Sequence, residues 1–139
     1  MLGPRQLALG KGEIVVSFWL PPRPPRSSDA YLRFIPRTEM DIAVVGCGIS
    51  LALDKKGVIE DARVVLGAVA PTALLVKEAA KAIVGTSLDG KALEALAAAA
   101  SAACRPIDDK RGTREFRIKI AGVLARRVAQ TAYERARQH

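Results

Sequence analysis

The chain reads as an α+β protein, and three observations point there. Two long apolar runs in the first half are joined by the short polar turn "DKKG"; the second half is built of helix-forming segments; and strands come first, helices last. At 139 residues, half of them hydrophobic, the chain suits one compact domain with a modest core.

The elements follow in order. Residues 13–20, "EIVVSFWL", are rich in β-branched and aromatic side chains and have the composition of a strand. They stop at "PPRPPRSS", where four prolines forbid a helix or a central strand, so a linker or crossover is expected there. Tyr31, Arg33 and Ile35 then alternate with Leu32, Phe34 and Pro36 in a short strand that ends at the charged turn "RTEM". Residues 42–53 form a long apolar run and residues 58–66 a second one. Asp54 and Gly57 supply turn chemistry between them, so the two should pair as an antiparallel hairpin. After Pro71, "TALLVKEAAKAIVG" predicts a helix stopped by Gly85. "DGKALEALAAAASAAC" predicts another, N-capped by Asp89 and closed before Pro106. The last helix starts near Thr113 and spans roughly 39 Å at the standard rise. Phe116, Ile120, Val123, Leu124 and Val128 line one side of it. Ile118, Ala121, Ala125, Ala129 and Ala132 widen that stripe beyond what a small sheet covers, so part of it is expected to face a partner.

The run into Gly46-Cys47-Gly48 invites comparison with a dinucleotide-binding loop. That fingerprint needs a third glycine where this chain has Leu51, and a helix where this chain continues as strand and turn. Without a helix N-terminus there is nothing to receive a phosphate. The two glycines read instead as a bulge or a close backbone approach in a long strand.

Most catalytic arrangements fall away with the histidines, of which His139 is the sole example and the terminal residue. The carboxylate pairs Glu60-Asp61 and Asp108-Asp109 read as solvated edges. The charge of +8 and the pI near 10.0 admit nucleic acid, anionic cofactors or an acidic protein. Nucleic acid is not expected, because only Phe116 and Tyr133 are available to interleave with the late basic residues. A solvated helix face and salt bridges to an acidic neighbour are the common meanings of such charge. Cys47 and Cys104 each sit in an apolar run and read as small core residues. No membrane span or signal peptide is expected, which leads to the expectation of a soluble, cytoplasmic protein. One connection stands out: Arg37-Thr38-Glu39-Met40-Asp41 joins two apolar strands with three charges and a methionine. On residue chemistry alone it is an ordinary hairpin tip, with Asp41 bonding local amides.

Three segments, "AYLRFIPRTEMDIAVV", "GVIEDARVVLGAVAPTALLVKEAAKAIVG" and "PIDDKRGTREFRIKIAGVLARRV", resemble in order and spacing the C-terminal domain of the FAD-binding (medium) subunit of molybdenum hydroxylases, the carbon monoxide dehydrogenase and xanthine dehydrogenase group. The most specific parts are the Tyr31/Arg37/Asp41 pattern, the Gly67 to Pro71 turn, and Asp108-x-x-Arg111-Gly112-Thr113-x-x-Phe116-Arg117. Phe116 departs from the family's usual tyrosine, Ala73 from a common proline, and Gly46 and Gly48 from alanine or valine. The resemblance implies an antiparallel sheet of three to four strands with three helices packed on one face. It also implies that residues 1–26 are the tail of a preceding flavin domain plus a Pro-rich linker, and that residues 27–139 are the C-terminal module.

In such enzymes a molybdenum cofactor oxidises the substrate, iron-sulfur clusters carry electrons onward, and FAD in the medium subunit passes them to an acceptor. By resemblance, the loop would approach the flavin ring, with Met40 or Ile42 in apolar contact and Arg37 and Asp41 fixing its shape. The phosphate loops that hold FAD belong to the preceding domain, so this chain alone is not expected to hold the cofactor or to be catalytic. Its expected partners are that flavin-binding domain and the iron-sulfur and molybdopterin subunits. The alternative in kind is a free-standing protein-interaction module that kept the fold without an electron-transfer role.

Overall fold

A computed structural model describes residues 2–37 and 41–138. Strands β1 (Ser27–Phe34), β2 (Val45–Leu53), β3 (Ile59–Gly67) and β4 (Leu74–Leu75) form one antiparallel sheet in the order β1-β2-β3-β4. Helices α1 (Lys77–Lys81), α2 (Gly90–Ala103) and α3 (Arg114–Gln138) follow. One sheet face meets the helices, because the strands alternate and their inward positions are the apolar ones: Val45, Cys47, Ile49 and Leu51 on β2, Ala62, Val64 and Leu66 on β3, all buried. The other face is open and carries Asp29, Tyr31, Arg33, Ser50, Asp61, Arg63 and Val65.

The glycine pair belongs to that open face. Tyr31 pairs with Gly48 across the sheet, and a Cβ at Gly46 would stand 2.8 Å from the tyrosine hydroxyl. A close approach, of ring to backbone, is therefore what these glycines serve. The register irregularity of β2 lies elsewhere, between Ala52 and Leu53.

The β2–β3 turn is closed by Asp54, whose Oδ1 accepts hydrogen bonds from the amides of Lys56 and Val58, each at 2.8 Å. Gly57 adopts φ 82°, open to glycine at little cost. Its carbonyl accepts a 2.7 Å bond from the Tyr133 hydroxyl on α3.

Several expected boundaries shift. Residues 13–20 form no strand and stand in water, with Val16 88%, Phe18 87% and Trp19 80% exposed; a strand needs a neighbour, and none of the described residues supplies one. The strand expected from residue 42 begins at Val45. The helix expected after Pro71 is shortened, because Leu74–Leu75 pairs with β3 and the Val76 amide donates to Val64 O at 2.8 Å. Only Lys77–Lys81 remains helical before turns that lead to Gly85, whose φ is 81°. Asp89 does cap α2, accepting from the Ala92 amide at 2.8 Å.

Most of the wide stripe on α3 finds its cover inside the domain, while Phe116 and Val123 stay exposed. Ala121, Leu124, Ala125, Val128, Ala129, Ala132 and Ala136 are buried between the sheet and α2. The helices come close at Gly122, where a Cβ would stand 2.7 Å from Ser101 Oγ and 3.1 Å from Ala97 O. Cys47 and Cys104 are free and buried. Desolvation, with a smaller contribution from Cys104, pushes the Cys47 thiol up to about 12, so it packs as an inert small hydrophobe.

Candidate functional site: the β1–β2 connection and the turn that opens α3

The β1–β2 connection is closed at its base by the Val44 amide, which donates to Phe34 O at 2.9 Å. Beyond that base lies Asp41, whose side chain is only 4% exposed although the connection is at the surface. Its Oδ1 accepts from the Ile42 amide at 2.8 Å and from Arg111 Nε at 3.2 Å, and its Oδ2 accepts from Arg37 Nε at 3.4 Å. Burial opposes the charged form of Asp41. The bonds from Arg111, Ile42 and Arg37, with the Arg37 charge, outweigh it and hold the carboxyl below its ordinary value.

Arg111 comes from the turn that opens α3. That turn is a small bridge between Asp109 and Gly112, and the Arg111 amide donates to Asp109 Oδ1 at 2.8 Å. The same oxygen lies 2.7 Å from Arg117 Nη2. Arg117 is 4% exposed, and its Nη1 donates to Val44 O at 2.7 Å and to Ala68 O at 3.4 Å. Asp109 is held below its ordinary value, first by the Arg111 amide and then by the Arg117 side chain. Asp108 accepts from the Arg114 amide at 2.6 Å, supplying a partner to the first turn of α3. Phe116 meets Phe34 edge to face at a centroid distance of 5.7 Å.

The four residues singled out in sequence fare differently. Arg37 and Asp41 are brought together as an ion pair; Ile42 is 64% exposed beside them. Met40 lies outside the described residues. Of the charges read as a solvated edge or as a solvated helix face with salt bridges, Asp109 does remain exposed and Arg111 partly so, each in an ion pair, with Arg117 and Asp41 respectively; Arg117 alone is buried. The sequence carried one signal for this, since Arg117 precedes Ala121, Leu124 and Val128 at the spacing of the buried stripe, and an arginine on an apolar helix face needs partners.

Gly46 and Gly48 lie inside β2 and not before a helix, so the dinucleotide fingerprint has no pyrophosphate cradle to offer. Among the described residues no group of His, Cys, Asp and Glu could hold a metal ion, and no helix is long and apolar enough to cross a membrane.

A four-stranded antiparallel sheet with helices on one face, and an ion pair from Asp41 to the turn that opens the last helix, define an α+β module. Residues 30–132 match the model of one family, the CO dehydrogenase flavoprotein C-terminal domain, and the chain belongs to that family. The carbon monoxide dehydrogenase medium chain of Afipia carboxidovorans is 35% identical over 94% of this chain and 44% of its own length. A putative xanthine dehydrogenase FAD-binding subunit of Escherichia coli is 28% identical over the same shares, 94% and 44%. Among solved structures, the reconstituted CO dehydrogenase from Oligotropha carboxidovorans superposes with TM-score 0.78 at 35% identity, covering 84% of this chain and 40% of that one. Quinoline 2-oxidoreductase from Pseudomonas putida 86 gives TM-score 0.74 at 27% identity, covering 81% and 39%. The chain thus spans less than half the length of the relatives it matches.

Proposed function

We propose that this chain serves as the C-terminal accessory domain of the FAD-binding subunit of a molybdenum hydroxylase, where it helps to shape the flavin site and the subunit assembly for electron transfer from iron-sulfur clusters to an acceptor. The observation that carries this reading is the exposed apolar segment at residues 13–20. Ile14, Val16, Phe18, Trp19 and Leu20 are each at least 78% exposed, and leaving such side chains in water forgoes about 1.5–3 kcal/mol apiece. A flavin-binding domain preceding the linker would cover them. The alternative, a free-standing interaction module, would need a separate partner to cover them.

The linker supports a position for that domain. Pro21, Pro22 and Pro24 border a cavity of about 360 Å³ together with Ser50, Asp61 and Arg63, which belong to the open sheet face. A domain joined through residues 13–20 would on this reading approach the open sheet face, away from the helices. Bound FAD supplies the redox chemistry; this chain's residues supply shape and shielding. Arg37 and Asp41 fix the loop, and Met40 and Ile42 offer its apolar contacts.

The test uses the complete subunit in its enzyme. Arg37→Ala with Met40→Ala is expected to weaken flavin retention or slow acceptor reduction while substrate turnover at the molybdenum centre stays near the parent's. Unchanged flavin content and acceptor reduction would remove the loop from the flavin site.

A further inference from the structure

We propose that Arg111 is a positioning residue that holds Asp41, on the β1–β2 connection, to the base of α3 through a relay of contacts: an ion pair from Arg117 to Asp109, a hydrogen bond from the Arg111 amide to Asp109, and ion pairs from Arg111 and Arg37 to Asp41. The proposal deepens the reading above and rests on it for its consequence at the flavin, but the coupling itself stands on geometry within this chain. An ordinary hairpin tip is held by neighbours in sequence. Here the carboxylate at the connection is bound by a guanidinium 70 residues away.

Each link is held in turn. Arg117 is buried and anchored on Val44 O and Ala68 O, so one end of the relay is part of the core. Asp109 takes both Arg117 Nη2 and the Arg111 amide on one oxygen, which ties the turn to the helix. Arg111 then extends to Asp41. The turn is also packed against the loop's base: a Cβ at Gly112 would stand 3.4 Å from Val44 Cγ1 and 3.2 Å from the Phe116 ring, so turn and connection cannot shift independently. Val44 is held a third way, by its amide on Phe34 O. A displacement at the N-terminus of α3 therefore reaches Asp41 by two routes, the relay through Asp109 and Arg111 and the packed base.

Only Nε of Arg111 makes the contact, at 3.2 Å, so a lysine ammonium can replace it in charge although not in shape. That permits a decisive rescue. In the 139-residue chain, hydrogen exchange is measured at the Ile42 amide, which donates to Asp41, and at the Lys56 amide, which donates to Asp54 in the other hairpin. Arg111→Ala is expected to lower protection at Ile42 about tenfold and leave Lys56 unchanged, since local openings report local contacts. Arg111→Lys should recover most of the loss, and Lys110→Ala, an exposed neighbour, should do nothing. In an Asp41→Ala background the Arg111→Ala effect should vanish.

The proposal is overturned if Ile42 protection stays within about twofold of the parent, if Ile42 and Lys56 fall together, or if lysine restores nothing. Flavin retention by Arg111→Ala in the complete subunit is read separately. Lost protection with unchanged flavin would keep the coupling and sink the flavin reading; unchanged protection with lost flavin would do the reverse.

Discussion

The two long hairpins of the sheet share β2, yet their connections are stabilised by different means. Between β2 and β3, the Asp54 carboxylate is satisfied by the amides of Lys56 and Val58 within a few residues, while Arg26 Nε and the Tyr133 hydroxyl reach in from outside to the carbonyls of Asp54 and Gly57. Between β1 and β2, the backbone closes at Phe34 and Val44, but the carboxylate beyond it depends on Arg111, and the base depends on Arg117. A turn whose carboxylate is met by its own amides carries its shaping bonds within its own sequence. A connection that draws its partners from 70 residues away takes its shape only when the last helix docks.

The largest effect that separates the two should come from Arg117→Met. It strips a buried cation from the carbonyls of Val44 and Ala68 and from Asp109, and should cost about 3 kcal/mol in urea unfolding, at the low end for a broken buried pair because Asp109 keeps some solvent. Arg117→Lys should recover less than half, because one ammonium cannot span the three partners. Next comes Gly57→Ala, which forces a Cβ into φ 82° and should cost about 1–2 kcal/mol while leaving the Ile42 amide protected. Tyr133→Phe should cost about 1 kcal/mol by thermal unfolding, the value of one hydrogen bond, and would show how far the self-contained turn leans on α3.

Acid should produce the smallest and most general effect. Asp41, Asp54 and Asp109 all have folded-state values below the ordinary 3.8. A carboxyl depressed by folding contributes stability that is fully present above its unfolded value and is lost as pH falls through its folded value. Unfolding midpoints should therefore be flat from pH ~7 to ~5 and decline below pH ~4. For Asp54 the main cause is the Val58 amide, which salt does not screen, whereas Asp41 and Asp109 rely partly on arginine side chains. Added salt should accordingly weaken acid sensitivity in Asp54→Asn more than in the parent, where the Asp54 share persists; an equal salt response in both would remove the distinction between the connections.

How much could be read beforehand follows the same division. The β2–β3 hairpin, the Asp89 cap and the start of α3 were legible because each is signalled by residues within one turn of where they act. The shortened α1 was not, because pairing of Leu74–Leu75 with β3 overrode a helix-forming composition. In the candidate site, Arg37 and Asp41 could be picked out and Arg111 and Arg117 stood in the motif that opens α3, yet the burial of Arg117 and the pairing of Arg111 with Asp41 were not legible, because both depend on where α3 docks.

By itself, the order of residues determined the class: strands before helices, one core, a polar turn between the central strands and no phosphate loop at Gly46 and Gly48. These are decided by side-chain period and backbone freedom, which act over a few residues. Tertiary structure decided which charges are structural. Arg117 enters the core because α3 lies across the base of β2, and Asp41 gives up solvent because that packing brings Arg111 to it. Tertiary structure also decided that residues 13–20, as apolar as any strand of the sheet, stay outside it: a strand exists only where another backbone accepts its hydrogen bonds, and none of the described residues supplies that neighbour.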